Sequence, residues 1–405
     1  MNLSRTLEEC NFILAEAAIV EAVRRSGRVS VHPRLQHALL IYDQIGKTVL
    51  SELYNGYIAV ALANNIPITI STPTWRANQE RLSEAGILSD VNADAVEFLN
   101  DVKAPLGSWA QWISVGGLIG CKNDAYSPAE GLSRAAAEKF HSWQIERLAQ
   151  AGVDFLLAAT LPSLDEAAGI ALAMEKTVLP YVISFVINKQ GRILDGNSLE
   201  AGFALIDSSC SRAPLGYMIN CAYPTFLNPE AQPQAVLSRL IGYQANASSN
   251  DHSDLDGAES LHADDIEDWA DRMLELNNRY GVKILGGCCG TSAEHLECLV
   301  RKINSDIAGG MTGKTLRQQM IALLEGQVMG ARDLSSALSV REKEVYTHLA
   351  HVERTVTTDK RRFVVHPSRC IACGFEFKKR KRLTRPSRCP KCKSSRLSQP
   401  LFQIL

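Results

Sequence analysis

The sequence predicts an α/β fold, a (β/α)8 TIM barrel followed by a small basic module of helices and a four-cysteine ribbon. Three observations carry this. Eight short apolar runs alternate with segments of helical period over about the first 300 residues. The charge is divided: residues 351–405 hold 15 Lys/Arg against 3 Asp/Glu, and the remaining 350 hold 28 against 41. The eleven cysteines are clustered, with Cys370, Cys373, Cys389 and Cys392 in one set and Cys288 and Cys289 side by side.

At 405 residues the chain is long for one domain. Apolar residues make up 46% of it, enough for a substantial core. No uninterrupted apolar run approaches the roughly 20 residues of a membrane helix. The start, "MNLSRTLEECNFILAEAAIVEAVRR", carries acids early and lacks a small-residue cleavage site, so the expected compartment is the cytoplasm. Cysteines in that compartment are metal ligands or buried thiols rather than a disulfide framework.

In chain order the expected strands are 12–18, 66–72, 112–120, 153–160, 181–187, 215–221, 241–248 and 282–289. Helical periodicity is clearest at 136–152 and 265–281, the second stopping on Gly281. Eight such units favour parallel βαβ connections closed into a barrel. An open doubly wound sheet is the alternative. Residues 306–314, "DIAGGMTGK", read as a linker. Helices at 315–325, 331–338 and 341–353 then follow with helix-turn-helix spacing.

Functional residues of a barrel sit at the C-terminal ends of its strands. Cys221 ends the sixth expected strand, and Cys288 and Cys289 end the eighth, so all three open on one face. Neighbouring side chains on a strand diverge, so the pair can meet one atom only if the pleat breaks. Gly286, Gly287 and Gly290 would supply the unusual dihedrals and close backbone approach. Three thiolates suit zinc and leave its fourth position open, as in a catalytic site. A free thiol near pKa 8.5 is only about 3% thiolate at pH 7, whereas a metal-bound one is fully ionised. The expected chemistry is attack by a bound thiolate on an activated methyl group. The plain alternative is a pair of small apolar residues at a tight turn.

"MINCAYP" (218–224) followed by "KILGGCCGTSAEHL" (283–296) resembles the homocysteine S-methyltransferase family, over roughly residues 10–305. The resemblance implies a zinc-dependent barrel in which Cys221, Cys288 and Cys289 hold the metal and homocysteine's sulfur is the fourth ligand. It implies a methyl donor that the sequence does not name. Two family positions differ here: Ala15 and Glu16 stand where Asp-Gly is usual, and Ala159-Thr160 where Glu-Thr is usual. "STPTWRAN" (71–78) resembles a divergent branch. Those positions grip the substrate's amino end, so they bear on which thiol is bound. Polar residues at the strand ends that could line the pocket are Glu16, Thr72, Thr74, Arg76, Asn123, Asp124 and Asn246. Glu16, Thr72 and Asn246 are the expected substrate-binding set. His252 and His262 lie in an acidic stretch and read as solvated loop residues.

"CIACGFEFKKRKRLTRPSRCPKCK" has Cys-x-x-Cys, fifteen residues, then Cys-x-x-Cys. This spacing signals a closed, structural zinc site, with a redox dithiol pair as the rival. Metal binding would supply the folding free energy of so small a unit. Residues 315–400 resemble a bacterial and archaeal class of transcription regulators, a winged helix followed by a zinc ribbon. The expected division is a barrel at 1–305, a linker at 306–314, a winged helix-turn-helix at 315–366 and the ribbon at 367–405. The tail's natural partner is a polyanion. If it is duplex DNA, Arg341, Lys343, Tyr346 and His348 on the reading helix and Lys378, Lys379 and Arg380 on the ribbon are the candidate contacts. A protein partner for the tail remains open, as does a second copy of the chain. No membrane partner is expected. The function expected is thus a zinc-dependent thiol S-methyltransferase with a DNA-binding module. The alternative is a transcription regulator whose barrel senses a thiol or methyl donor with little turnover.

Overall fold

The computed structural model describes residues 3–251, 262–309, 316–338, 340–358, 361–378, 380 and 382–405. Eight parallel strands close into a barrel in sequential order: β1 (Ile13–Ala15), β2 (Ile68–Ser71), β3 (Ile113–Ile119), β4 (Phe155–Leu161), β5 (Tyr181–Phe185), β6 (Gly216–Ala222), β7 (Leu240–Ala245) and β8 (Ile284–Gly287). β1 pairs with β8 through Ile13–Ile284 and Leu14–Leu285, which excludes the open-sheet alternative. All eight expected strands are present. Their ends are trimmed most at β1, where the backbone leaves the sheet after Ala15, and at β8, which ends at Gly287. The helix Ile266–Tyr280 is capped by Asp265, which accepts from the Glu267 and Asp268 amides, and it ends on Gly281 at φ 72°.

Along β4 the pleat sorts side chains between two cores. Phe155, Leu157 and Ala159 pack inside the barrel with Met218 and Ile284. Leu156 and Ala158 pack outward beneath the helices. The same sorting holds on β6, with Met218 inward and Tyr217 and Ile219 outward.

The helix Leu3–Glu9 covers the N-terminal mouth of the barrel, where Leu3 and Leu7 pack on Ile13 and Trp112. The helix Ala293–Gly309 runs into the stretch read as a linker, and the rest of that linker, 310–314, lies outside the described residues. Beyond it come helices Leu316–Gly326, Ala331–Leu338 and Glu342–Thr358, close to the expected spans. A three-stranded antiparallel sheet completes this unit in the order β10 (Phe363–His366), β11 (Leu401–Ile404), β9 (Met329–Gly330). Strand β11 is therefore the centre of this sheet, and the cysteine ribbon is an excursion between β10 and β11. Met320, Leu324, Leu334, Val345, Leu349 and Phe402 form this unit's own core.

The tail sits on the N-terminal mouth. Val328 is buried in the same cluster as Leu3 and Leu7 of the mouth helix, and Leu401 packs against that cluster. The Asn65 amide donates to the Val328 carbonyl, the Gln403 amide to the Glu9 carbonyl, and Asn11 Nδ2 to the Glu325 carbonyl at 3.0 Å. Trp112 meets His366 edge-on at 5.6 Å. Among the described residues, no helix is long and apolar enough to cross a membrane.

Candidate metal and substrate site

At the C-terminal mouth the sulfurs of Cys221, Cys288 and Cys289 lie within 4.8 Å of one another, with Cys221 and Cys288 at 2.8 Å. The two strand ends achieve this by different means. On β6 the register slips between Asn220 and Ala222, and Cys221 adopts φ 54°. Without that bulge the pleat would put Cys221 outward with Tyr217 and Ile219; one extra residue turns it into the mouth. A left-handed φ on a non-glycine residue costs roughly 1–2 kcal/mol, and such strain concentrates at functional sites.

On β8 the strand ends at Gly287, so Cys288 and Cys289 lie in the turn beyond it and the alternation rule no longer applies. Of the three glycines expected to bend the strand, only Gly290 has a positive φ, 80°. Gly286 and Gly287 serve close approach instead. A Cβ on Gly286 would stand 2.6 Å from the Ala15 carbonyl oxygen, and one on Gly287 would stand 2.0 Å from Thr291 Oγ1. Thr291 Oγ1 donates to the Cys288 carbonyl at 2.6 Å, and the Cys288 amide donates to the Ala245 carbonyl at 2.7 Å. These bonds pin the cysteine turn to β7.

The three sulfurs face a cavity of about 680 Å³ whose walls include Glu16, Thr72, Trp75, Arg76, Asp124, Tyr126, Thr160, Asn220 and Asn246. The expected substrate set converges here, with differing chemistry. Glu16 follows β1 directly and is buried, accepting from the Ser71 amide at 3.0 Å and from the Ser71 hydroxyl; burial nevertheless pushes its carboxyl up to about 8. Asn246 is buried and its Oδ1 has no hydrogen-bond partner, so it is an acceptor facing a ligand space with nothing to accept. Thr72 lines the cavity, but its hydroxyl is committed to Thr74 Oγ1 at 2.7 Å and to the Leu118 amide at 3.0 Å. Arg76 stacks on Trp75 and donates to the Cys121 and Asn123 carbonyls, bracing the loop after β3. His262 also lines the cavity; His252 lies outside the described residues.

Two residues here escaped the sequence reading. Tyr126, from the loop after β3, hydrogen-bonds the Cys221 sulfur. Asn220 sits inside the quoted "MINCAYP" motif, yet its neighbour drew the attention; the side chain bonds Thr160, Ser184 and Cys221 at once. As the sulfur receiving bonds from the Cys288 and Cys289 thiols, Tyr126 and Thr160, Cys221 is pulled well below the usual thiol range.

The second cysteine cluster is in the tail. Cys370 and Cys392 sulfurs are 3.5 Å apart, Cys373 and Cys389 3.6 Å, and all four lie within 4.8 Å of one another. Each Cys-x-x-Cys forms the same knuckle. The Gly374 amide donates to the Cys370 carbonyl at 2.8 Å, and the Lys393 amide to the Cys389 carbonyl at 3.0 Å, with φ 70° and 60° at those residues. The sulfurs of a tetrahedral zinc with about 2.3 Å bonds are spaced closely like this. Of the expected nucleic-acid contacts, Arg341 and Lys343 are exposed at the start of the helix Glu342–Thr358. Tyr346 packs on the tail core and bonds Glu342 at 3.2 Å, and His348 accepts from Arg317. Lys378 pairs with Glu376 at 3.0 Å, and Arg380 bonds the Thr384 carbonyl at 3.2 Å. Lys379 lies outside the described residues.

Comparison with known proteins agrees with this geometry. Residues 315–364 match the "PF0610-like, N-terminal" family and 367–405 the "PF0610 rubredoxin-like zinc beta-ribbon domain". Homocysteine S-methyltransferase 1 of Arabidopsis thaliana is 26% identical over 210 residues, 50% of this chain and 60% of that protein. Homocysteine S-methyltransferase 4 of Zea mays is 26% identical over 183 residues, 43% of this chain and 51% of that one. The chain thus spans just over half the length of the curated relatives it matches. In fold, the metallated form of the homocysteine methyltransferase MmuM from Escherichia coli superposes with a TM-score of 0.58 at 19% identity, covering 74% of this chain and 98% of that one. Residues 11–303 match the family "Homocysteine S-methyltransferase", and by that match the chain belongs to the homocysteine S-methyltransferase family.

Proposed function

We propose that the barrel is a zinc-dependent S-methyltransferase that moves a methyl group onto an amino thiol, homocysteine or a close relative, giving methionine or a related thioether. The observation that carries this is the convergence of Cys221, Cys288 and Cys289 on one point of a cavity large enough for two small substrates. Three soft donors, with no fourth sulfur in the cluster among the described residues, suit a zinc site with one open position. Zinc held there would keep a substrate thiol ionised at neutral pH. The chain's own groups do the rest. Glu16 and Asn246 Oδ1 offer acceptors to a substrate ammonium, taking over the role of the acidic residues absent at positions 15 and 159. The Cys turn, pinned by Thr291 and Ala245, fixes where the thiol sits relative to the donor, and positioning of this kind lowers the barrier to methyl transfer.

The tail reads as a structural zinc module that contacts a polyanion. Its basic ribbon supports duplex DNA as that partner, and a regulator whose barrel senses the thiol is the second reading. Steady-state assays separate the two. The full chain, incubated with homocysteine and a panel of sulfonium, methyl-pterin and methyl-corrinoid donors, should yield a thioether by mass spectrometry. No thioether with any donor would overturn the enzyme in favour of the sensor. Metal analysis should give two zinc ions per chain and one in Cys289→Ser.

A further inference from the structure

Two non-glycine residues at the barrel mouth have left-handed backbones, Thr160 at φ 60° and Cys221 at φ 54°. Each sits at a register slip, between Ala158 and Leu161 on β4 and between Asn220 and Ala222 on β6. These strands are not neighbours, since β5 lies between them. One side chain ties them. Asn220 Oδ1 accepts from the Thr160 amide at 2.9 Å and from Ser184 Oγ, on β5, at 2.7 Å. Its Nδ2 donates to Thr160 Oγ1 at 2.7 Å and to Cys221 Sγ at 3.3 Å. An amide has two donors and room for two acceptors' worth of bonds, so this one is saturated, and the network fixes which end is nitrogen. It is buried, so no water competes for these bonds.

We propose that Asn220 is the positioning residue of the thiolate site: it locks the two bulges together and holds the Cys221 sulfur in the mouth through an N–H···S bond. The proposal rests on the reading that Cys221, Cys288 and Cys289 hold a metal. Its logic is physical. The β4 bulge turns the Thr160 amide out of the ladder, the β6 bulge turns Cys221 into the mouth, and a single amide side chain engages both. Donation to sulfur favours its anionic form, the form that binds metal. Groups that orient a metal ligand from behind change affinity about 10–100-fold when removed.

The test uses the full chain, whose ribbon metal serves as an internal reference. Asn220→Asp keeps the size and the acceptor but removes the N–H donor. Zinc affinity of the barrel site, measured by chelator competition, should weaken about 10–100-fold. With cobalt in place of zinc, the sulfur-to-metal charge-transfer band should move to lower energy, because a sulfur without its hydrogen bond gives up electrons more easily. Ser184→Ala removes one acceptor contact and spares the N–H···S bond, so affinity and band should stay near wild type. If Asn220→Asp does not fold, Asn220→Ala, which has no side-chain donor, carries the same expectation. Wild-type chains that hold two metals, with an Asn220 variant unchanged in affinity and band, would overturn the clamp alone. Wild-type chains that hold only the ribbon metal would overturn the metal reading, and the clamp with it.

Discussion

Glu16 shows how one residue can change the reading of a site. Buried, with only the Ser71 amide and hydroxyl to offset its desolvation, its carboxyl is pushed up from 4.5 to about 8. The folded state therefore holds this proton more tightly than the unfolded chain does. Stability from this group is full below about pH 4.5 and is lost as the pH rises through about 8. Thermal melts of the ligand-free protein between pH 5 and 9 should show that loss, and Glu16→Gln should flatten it; an unchanged slope in the variant would exclude Glu16 as its source. A substrate ammonium stabilises the carboxylate, so affinity for an amino thiol should rise with pH in the same window. Glu16→Gln should then raise KM for the amino thiol about tenfold, or about 1.4 kcal/mol. A desamino thiol should be affected far less. Strand-end position placed Glu16 and Asn246 at this mouth from sequence, and both line the cavity. Thr72 was flagged by the same rule, yet its hydroxyl is spent on Thr74 and Leu118. Sequence position shows which face a residue serves, and the hydrogen-bond inventory shows whether it has anything left to offer.

The strands and turns set a stricter limit on what sequence can show. Alternation reveals eight strands but not the two bulges, because a bulge depends on the neighbour it slips against. Strict pleating would send Cys221 outward, and only the paired slips at Thr160 and Cys221 bring it in. Tyr126 was hidden for a related reason, since its loop meets the β6 end only when the barrel closes. The glycines of β8 illustrate a role legible in part. Gly287→Ala would drive a Cβ into Thr291 Oγ1, the group that pins the Cys288 carbonyl. This variant should keep its barrel but lose the barrel metal, seen as one zinc per chain with near-native far-UV dichroism; retention of both metals would show that the turn tolerates displacement. The ribbon offers the opposite test. Lys393 takes the left-handed position that Gly374 fills in the first knuckle. Lys393→Gly should relieve that strain and stabilise the ribbon by about 1 kcal/mol. Slower metal release to a chelator would register it.

For the molecule as a whole, the two cysteine clusters lie at opposite ends of one barrel. The thiol site opens at the C-terminal mouth, while the tail is seated on the N-terminal mouth through Val328, Leu401 and Gln403. Sequence could not place the tail there: β11 pairs with β10 and β9 across the whole ribbon, and its Gln403 reaches Glu9 at the other end of the chain. That arrangement predicts how the modules depend on each other. The ribbon has only a small core of its own, around Leu397, Phe375 and Phe377. A metal held by its four cysteines would close the long excursion between β10 and β11, and without it that loop adds entropy that the three-stranded sheet must overcome. Cys373→Ser should therefore remove one zinc and lower the melting temperature of the tail, exposing its seat on Leu3, Leu7 and Trp112. Salt-dependent binding to duplex DNA, where present in the wild type, should fall with it. Methyl transfer at the far mouth should stay within about twofold, because none of the described residues that line the thiol cavity belongs to the tail. A more than tenfold loss of transfer, or loss of both metals, would mean that the tail braces the barrel through the shared floor cluster of Leu157, Ala159 and Val328.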